Sequence, residues 1–250
     1  MRIISIANQK GGCAKTTTAI NLSACLAESG KKVLLIDLDP QAHASVGLNI
    51  ETPKLETTIY DVLTGHVALE DIIIKISENF ELAPSDIVLS AAELELAGVI
   101  GRENELSTSI KKMNRTYDYI IIDCPPSLGL LTFNALKASK EVFITIETSF
   151  FALHGVGKLL QTLKLLEEKL NHHISYYALA TMHDKRTNLA REVLEEIRNY
   201  FKERTFKSVI GVNIKLREAT SHGVPIIKYF PQSQGAEDYM TLAKEVIGLE

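Results

Sequence analysis

The chain has 250 residues, 46% of them hydrophobic and 23% charged, the balance of a globule large enough to bury a sizeable core. Lys and Arg number 27 against 31 Asp and Glu, and the net charge of −4 argues against indiscriminate nucleic-acid binding through overall charge. No apolar run approaches the roughly 18 residues of a membrane span, no leader precedes the first apolar run, and Cys13, Cys25 and Cys124 lack metal-ligand spacing, which points to a reducing cytosol.

In chain order, Ile3 to Ile6 reads as a short buried strand. The run Ala7-Asn8-Gln9-Lys10-Gly11-Gly12-Cys13-Ala14-Lys15-Thr16-Thr17-Thr18 follows, and from Ala19 to Ala27 apolar residues recur at helical spacing. A glycine turn between strand and helix that ends in Lys-Thr is the setting of a phosphate-binding loop. Backbone N–H groups and the helix N-terminus face the anion, the lysine neutralises outer phosphates and the hydroxyl ligates Mg²⁺. The segment departs from G-x-x-x-x-G-K-[ST]: Gln9 stands at the first glycine and Ala14 precedes Lys15. It carries instead a second lysine, Lys10, ahead of the glycine pair. One lysine suffices for its own site, so the second can reach a phosphate held by another subunit.

Val33 to Ile36 reads as the next strand and ends in Asp37-Leu38-Asp39-Pro40-Gln41. Tyr119 to Ile122 precedes Asp123-Cys124-Pro125-Pro126. Acids at strand ends lie where open α/β sheets bind ligands. Asp123 reads as a Walker-B-type aspartate that positions hydrated Mg²⁺, with a plain helix cap as the alternative. Asp37 to Gln41 reads from its residues alone as an ordinary Asp-Pro turn at a strand end. Val142 to Ile146 and Tyr176 to Ala180 continue the strands; helices are expected over 153–170, over 189–201 and after Gly235. Near-continuous apolar runs predict a mainly parallel twisted sheet covered by helices on both faces, an α/β fold in one domain spanning 1–250 without repeat or linker. Between Thr181 and Phe230, ten Lys and Arg face six Asp and Glu, a local surplus of four positive charges.

Taken together these residues resemble the deviant-Walker ATPases of the ParA/MinD family, whose loop is K-G-G-x-[GA]-K-[ST], and in particular its Soj-like chromosome and plasmid partition members. The resemblance covers essentially the whole chain and implies a single-domain P-loop NTPase without an N-terminal helix-turn-helix extension. It also implies ATP and Mg²⁺ as cofactors, slow ATP hydrolysis and a homodimer that sandwiches the nucleotides. Carried over by position, Lys10 reaches the partner's nucleotide and Lys15 is the ordinary loop lysine. Gly11, Gly12, Cys13, Ala14 and Thr17 complete the phosphate cradle, and Asn213 joins the adenine pocket. Thr16, Asp39 and Asp123 form the Mg²⁺ shell; Asp39 also orients the attacking water, while Lys10 and Lys15 stabilise the transferring group.

The stretch Thr181-Met182-His183-Asp184-Lys185-Arg186-Thr187-Asn188 resembles the family's T-M-x-D-x-R-T-N, and Ile210 to Ala219 resembles I-P-R-N-V-R-L-S-E-A. By position Arg186 and Lys215 become contacts to the DNA backbone, with Arg217, where the family has a small residue, as a local compensation. Binding through phosphates alone is sequence-independent and salt-sensitive. At residues 147–155 relatives show Gln-x-Glu-Tyr-Tyr-Ala-Leu-x-Gly; Ser149, Phe150 and Phe151 remove a charge and two hydroxyls, and both phenylalanines are expected in the core.

The implied function is a cytoplasmic partition ATPase that is nucleoid-associated with ATP and released when a ParB-type partner stimulates hydrolysis. A MinD-like regulator of division or flagellar placement is one alternative, but it needs a basic amphipathic tail. Residues 239–250 carry one cation and two acids, so no stable membrane association is expected. A weakly hydrolysing DNA-binding scaffold is the other alternative.

Overall fold

The computed structural model describes residues 1–150, 152, 153 and 156–249. Eight strands form one sheet: β1 (Arg2–Ala7), β2 (Val33–Asp37), β3 (Ile74–Lys75), β4 (Phe80–Ala83), β5 (Tyr119–Asp123), β6 (Glu141–Glu147), β7 (Ser175–His183) and β8 (Thr205–Gly211). Their order is β3-β4-β2-β5-β1-β6-β7-β8, and every pair is parallel except the short antiparallel β3–β4 edge.

The apolar runs behave as strands covered on both faces, with all five residues of β2 and of β5 buried. Successive side chains point to opposite faces. Tyr119 and Ile121 of β5 therefore join the core with Ile4, Leu35, Leu22 and Leu242, while Ile120 and Ile122 join the other core with Leu34, Ile36, Leu106 and Leu159. The helix Lys15–Glu28 is buried almost all round because the sheet lies under one side and the helix Gln234–Ile247 covers another. It carries no broad polar face, as expected of a helix enclosed by its neighbours.

The expected helices over 153–170 and 189–201 form as Val156–Leu170 and Asn188–Phe201. The strands that sequence patterning passed over, β3, β4 and β8, lie toward the two ends of the sheet and are short or interrupted by charge, as by Glu81 and Lys207. Phe150, expected in the core, is 77% exposed, because it follows β6 in a turn beyond the sheet rather than in an element with a buried face. Phe151 lies outside the described residues.

Register sets up the site. Asp37 at the end of β2 pairs with Asp123 at the end of β5, and Ile6 of β1 pairs with the same Asp123. The loop that leaves β1 thus begins beside two carboxylates.

Candidate nucleotide site

Residues 8–14 connect β1 to the helix Lys15–Glu28 and are fastened to the neighbouring strands by side chains. Asn8 donates through Nδ2 to the Thr145 carbonyl (2.7 Å) and accepts from the Lys10 N–H at Oδ1 (3.0 Å). The Thr181 hydroxyl donates to the Cys13 carbonyl (3.1 Å). The Cys13 thiol is fully buried, donates to the Lys10 carbonyl (3.1 Å) and sits 3.3 Å from the Thr145 hydroxyl. Cys13 therefore offers a ligand only its backbone. Its side chain anchors the loop to β6.

Two loop residues adopt left-handed backbone, Gly12 at φ 75° and Ala14 at φ 66°. Ala14 is the residue before the helix and supplies no side-chain cap, so the first N–H groups of that helix are left for an anion. Beside Gly11 and Gly12 a Cβ would meet nothing within 4 Å, which is open space along the loop's outer side.

A cavity of about 660 Å³ lies over this loop. Gly11, Gly12, Ala14, Lys15, Thr16 and Thr17 form one side; Asp39, Gln41, His43 and Pro126 come from the ends of β2 and β5, and Met182 from β7. The segment Ile210 to Ile214, with Leu216 and Arg217, closes the other side. The structure thus brings Gly11, Gly12, Ala14, Lys15, Thr16, Thr17, Asp39 and Asn213 around one space. Asp123 sits behind it, fully buried, and Lys10 stands outside.

The two lysines end in different surroundings. Lys15 is buried and donates to the Lys10 carbonyl (3.1 Å). Lys10 is not among the residues that line the cavity; it forms an ion pair with Glu147 and donates to the Ser149 hydroxyl (3.0 Å).

The three acids differ as sharply. Asp37 is buried and committed to the loop after β2, accepting from the Ser45 N–H (2.8 Å), the Ser45 hydroxyl (2.7 Å) and the Asp39 N–H (3.2 Å). Burial pushes its carboxyl up to about 6, opposed by the Ser45 and Asp39 hydrogen bonds and aided by the Asp39 charge. Asp39 faces the cavity and accepts at Oδ1 from the Gln41 N–H (2.9 Å). Asp123 is held well above the usual carboxylate range, first by burial and then by the Asp37 charge, while Thr16 and Lys15 pull the other way. Neither Asp123 oxygen finds a hydrogen-bond partner.

A buried carboxylate with both oxygens orphaned, next to two further acids and a threonine hydroxyl, calls for a cation. Among the described residues no three His, Cys, Asp or Glu groups are arranged to hold a metal unaided. That fits Mg²⁺, which takes one or two carboxylates and completes its shell with waters and phosphate oxygens.

Sequence reasoning missed Met182 and Tyr239. Met182 reaches the cavity because β7 slips register there and the residue adopts φ 51°, an irregularity with no signature in an apolar run. Tyr239 is buried in the last helix, with its hydroxyl 3.1 Å from the Thr18 hydroxyl. It reads from sequence as one more core position.

A family model described as an AAA domain matches residues 1–176. The chain is 49% identical to the sporulation initiation inhibitor protein Soj of Bacillus subtilis (strain 168) over 247 residues, 98% of both chains. The chain belongs to the Soj/ParA family of P-loop ATPases. Among solved structures, a cobyrinic acid a,c-diamide synthase from Mycobacterium smegmatis with bound ATP analogue and magnesium superposes with a TM-score of 0.87 at 33% identity, covering 99% of this chain and 94% of that one. A putative plasmid partition protein from Borrelia burgdorferi B31 bound to AMPPNP superposes with a TM-score of 0.81 at 27% identity, covering 99% and 97%.

Proposed function

We propose that this protein is a partition ATPase whose ATP-bound form is a nucleotide-sandwich dimer that holds DNA nonspecifically and lets go when a ParB-type partner stimulates hydrolysis. The observation that carries this reading is the position of Lys10. Gly11, Gly12, Ala14, Lys15, Thr16 and Thr17 all border the cavity, whereas Lys10 does not and is instead held by Glu147 and Ser149. A cation kept out of its own site serves a neighbour's triphosphate.

Within one site the roles follow from chemistry. Backbone N–H groups of residues 11–16 and the start of the helix Lys15–Glu28 cradle phosphates, and Lys15 meets the outer ones. Thr16, Asp39 and Asp123 would hold Mg²⁺, which neutralises charge on the transferring phosphoryl group. Asp39, facing the cavity at the end of β2, orients the attacking water. Lys10 from the partner completes the cationic surround, so turnover stays slow until the dimer forms and the partner protein acts.

The DNA-facing cations start out neutralised. Arg186 forms a fork with Asp184 (2.8 and 2.7 Å) that holds the aspartate down to about 2, and Lys215 pairs with Glu218 (2.7 Å). Exchange of these acids for DNA phosphates makes binding salt-sensitive and sequence-blind. The apolar side of the helix Gln234–Ile247 is committed to the core through Tyr239, Leu242, Ala243 and Val246, which favours a cytoplasmic, nucleoid-bound cycle over membrane docking.

Size-exclusion chromatography with light scattering tests this reading. Asp39→Ala, which binds ATP without hydrolysing it, elutes as a dimer with ATP and Mg²⁺. Lys10→Ala stays monomeric, and a Lys10→Ala protein that dimerises as readily as the parent overturns the proposal. ATPase assays with and without DNA and partner separate a timed switch from a scaffold that barely turns over.

A further inference from the structure

Three basic residues, Arg186, Lys215 and Arg217, lie in the stretches that resemble DNA-contact segments, yet the structure treats them unequally. Arg186 is paired with Asp184. Lys215 is paired with Glu218 and lies 5.6 Å from the centre of the Phe230 ring. Arg217 has no side-chain hydrogen bond or ion pair among the described residues. The acid next to it in sequence is already taken, because Glu218 accepts from Lys215 (2.7 Å) and from the Tyr229 hydroxyl (3.0 Å).

Arg217 is also on the wall of the nucleotide cavity, in company with Asn213, Ile214 and Gln41, whereas Arg186 and Lys215 are not. The phosphate loop occupies one side of that cavity, so the segment 210–217 is left to receive the base and ribose. Its apolar members give the base a surface. Asn213 spends its Oδ1 on the Lys215 N–H (2.8 Å), which leaves its amide N–H groups free to donate to a ligand.

We propose that Arg217 is a nucleotide-binding residue whose guanidinium packs on the base-and-ribose half of ATP. A guanidinium is planar and weakly hydrated, and it attracts the face of an aromatic ring more strongly as the contact is desolvated. Arg217 is exposed on the free protein, and a base laid against Val212 and Ile214 covers it. A lysine at the same place keeps the charge and loses the flat face. The inference rests on the cavity being the ATP site.

Calorimetric titration of ATP and of inorganic tripolyphosphate into Arg217→Ser, Arg217→Lys, Lys15→Ala and the parent tests it, with DNA retention measured in parallel at saturating ATP. Arg217→Ser weakens ATP binding about three- to tenfold. Arg217→Lys recovers only part of that loss, and both variants keep the parent's tripolyphosphate affinity and DNA retention. Unchanged ATP affinity in Arg217→Ser overturns the inference, as does an equal loss for tripolyphosphate, the mark of plain charge attraction. Loss of DNA retention with ATP affinity intact returns Arg217 to the DNA surface. If Lys15→Ala binds ATP as well as the parent, the cavity itself is misread; if only Arg217→Ser does, the site stands and this residue's role falls. Thermal unfolding of each variant confirms that the exposed substitution leaves the fold in place.

Discussion

At the phosphate end of the cavity, residues 8–14 are tied to β6 and β7 by Asn8, Cys13, Thr145 and Thr181, through contacts that reach across more than a hundred residues of sequence. At the nucleoside end, residues 210–217 depend on a Gly211 N–H donated to Asp238 (2.9 Å) and on the Asn213 cap, and Val212 and Ile214 stand 57% and 69% exposed. The first end is fastened by side-chain hydrogen bonds, so its donors lose little freedom on binding. The second keeps apolar surface and an unpaired guanidinium in water, and a ligand gains by covering them. On the proposed reading, phosphate recognition comes from a fixed cradle and nucleoside recognition from burial.

The largest effects fall at the cradle. Lys15→Ala removes a buried cation that borders the cavity and, on the proposed reading, weakens ATP binding about a hundredfold, read by calorimetry. Asp123→Asn abolishes ATP turnover and yet raises the stability of the protein without Mg²⁺ or nucleotide by about 1–2 kcal/mol, since a carboxyl that burial holds well above its ordinary range costs free energy at neutral pH that an amide does not. Thermal unfolding without Mg²⁺ or nucleotide shows the gain. A loss of stability there means that Asp123 has a partner in the free protein.

Next in size is the latch on Lys10. On the proposed reading the ion pair with Glu147 opens before Lys10 serves a neighbour, so Glu147→Gln lowers the ATP concentration needed for dimerisation about three- to tenfold. Light scattering across an ATP titration measures the shift. Ser149 still holds Lys10 in that variant, which keeps the effect moderate.

The contrast between the two ends also explains what could be read in advance. The five strands β2, β5, β1, β6 and β7 adjoin in the sheet, are buried on both faces and appear as apolar runs, so the fold class was legible. The loop was legible because glycines, lysines and hydroxyls at fixed spacing have one main use between a strand and a helix. The nucleoside end was legible at Asn213 alone, through the family resemblance, because a wall of Ile210, Val212, Ile214 and Leu216 has the composition of any core segment, and only the turn after β8 reveals that two of them face out. Arg217 carried no pattern that separates a DNA contact from a nucleotide contact. That it has no side-chain partner among the described residues is a three-dimensional fact. The Lys10–Glu147 pair joins residues 137 apart, beyond the reach of any local motif.

The smallest expected effect tests how completely the cradle is set beforehand. Ala14 holds φ 66°, ψ 29°, a left-handed conformation that costs an L-residue with a Cβ about 1–2 kcal/mol. Ala14→Gly relieves that strain but gives the unfolded chain more freedom, a loss of about 0.5–1 kcal/mol. The balance is a stabilisation of about 0.5–1 kcal/mol, or a Tm higher by about 1–4 °C for a chain of this size. The expected gain belongs to folding, with residue 14 left-handed with and without nucleotide, and ATP affinity changes less than twofold. Thermal unfolding and calorimetry on one preparation separate the two quantities. Unchanged Tm with tighter ATP binding means that residue 14 becomes left-handed only when nucleotide arrives, and the cradle is then induced by its ligand, as the nucleoside end is.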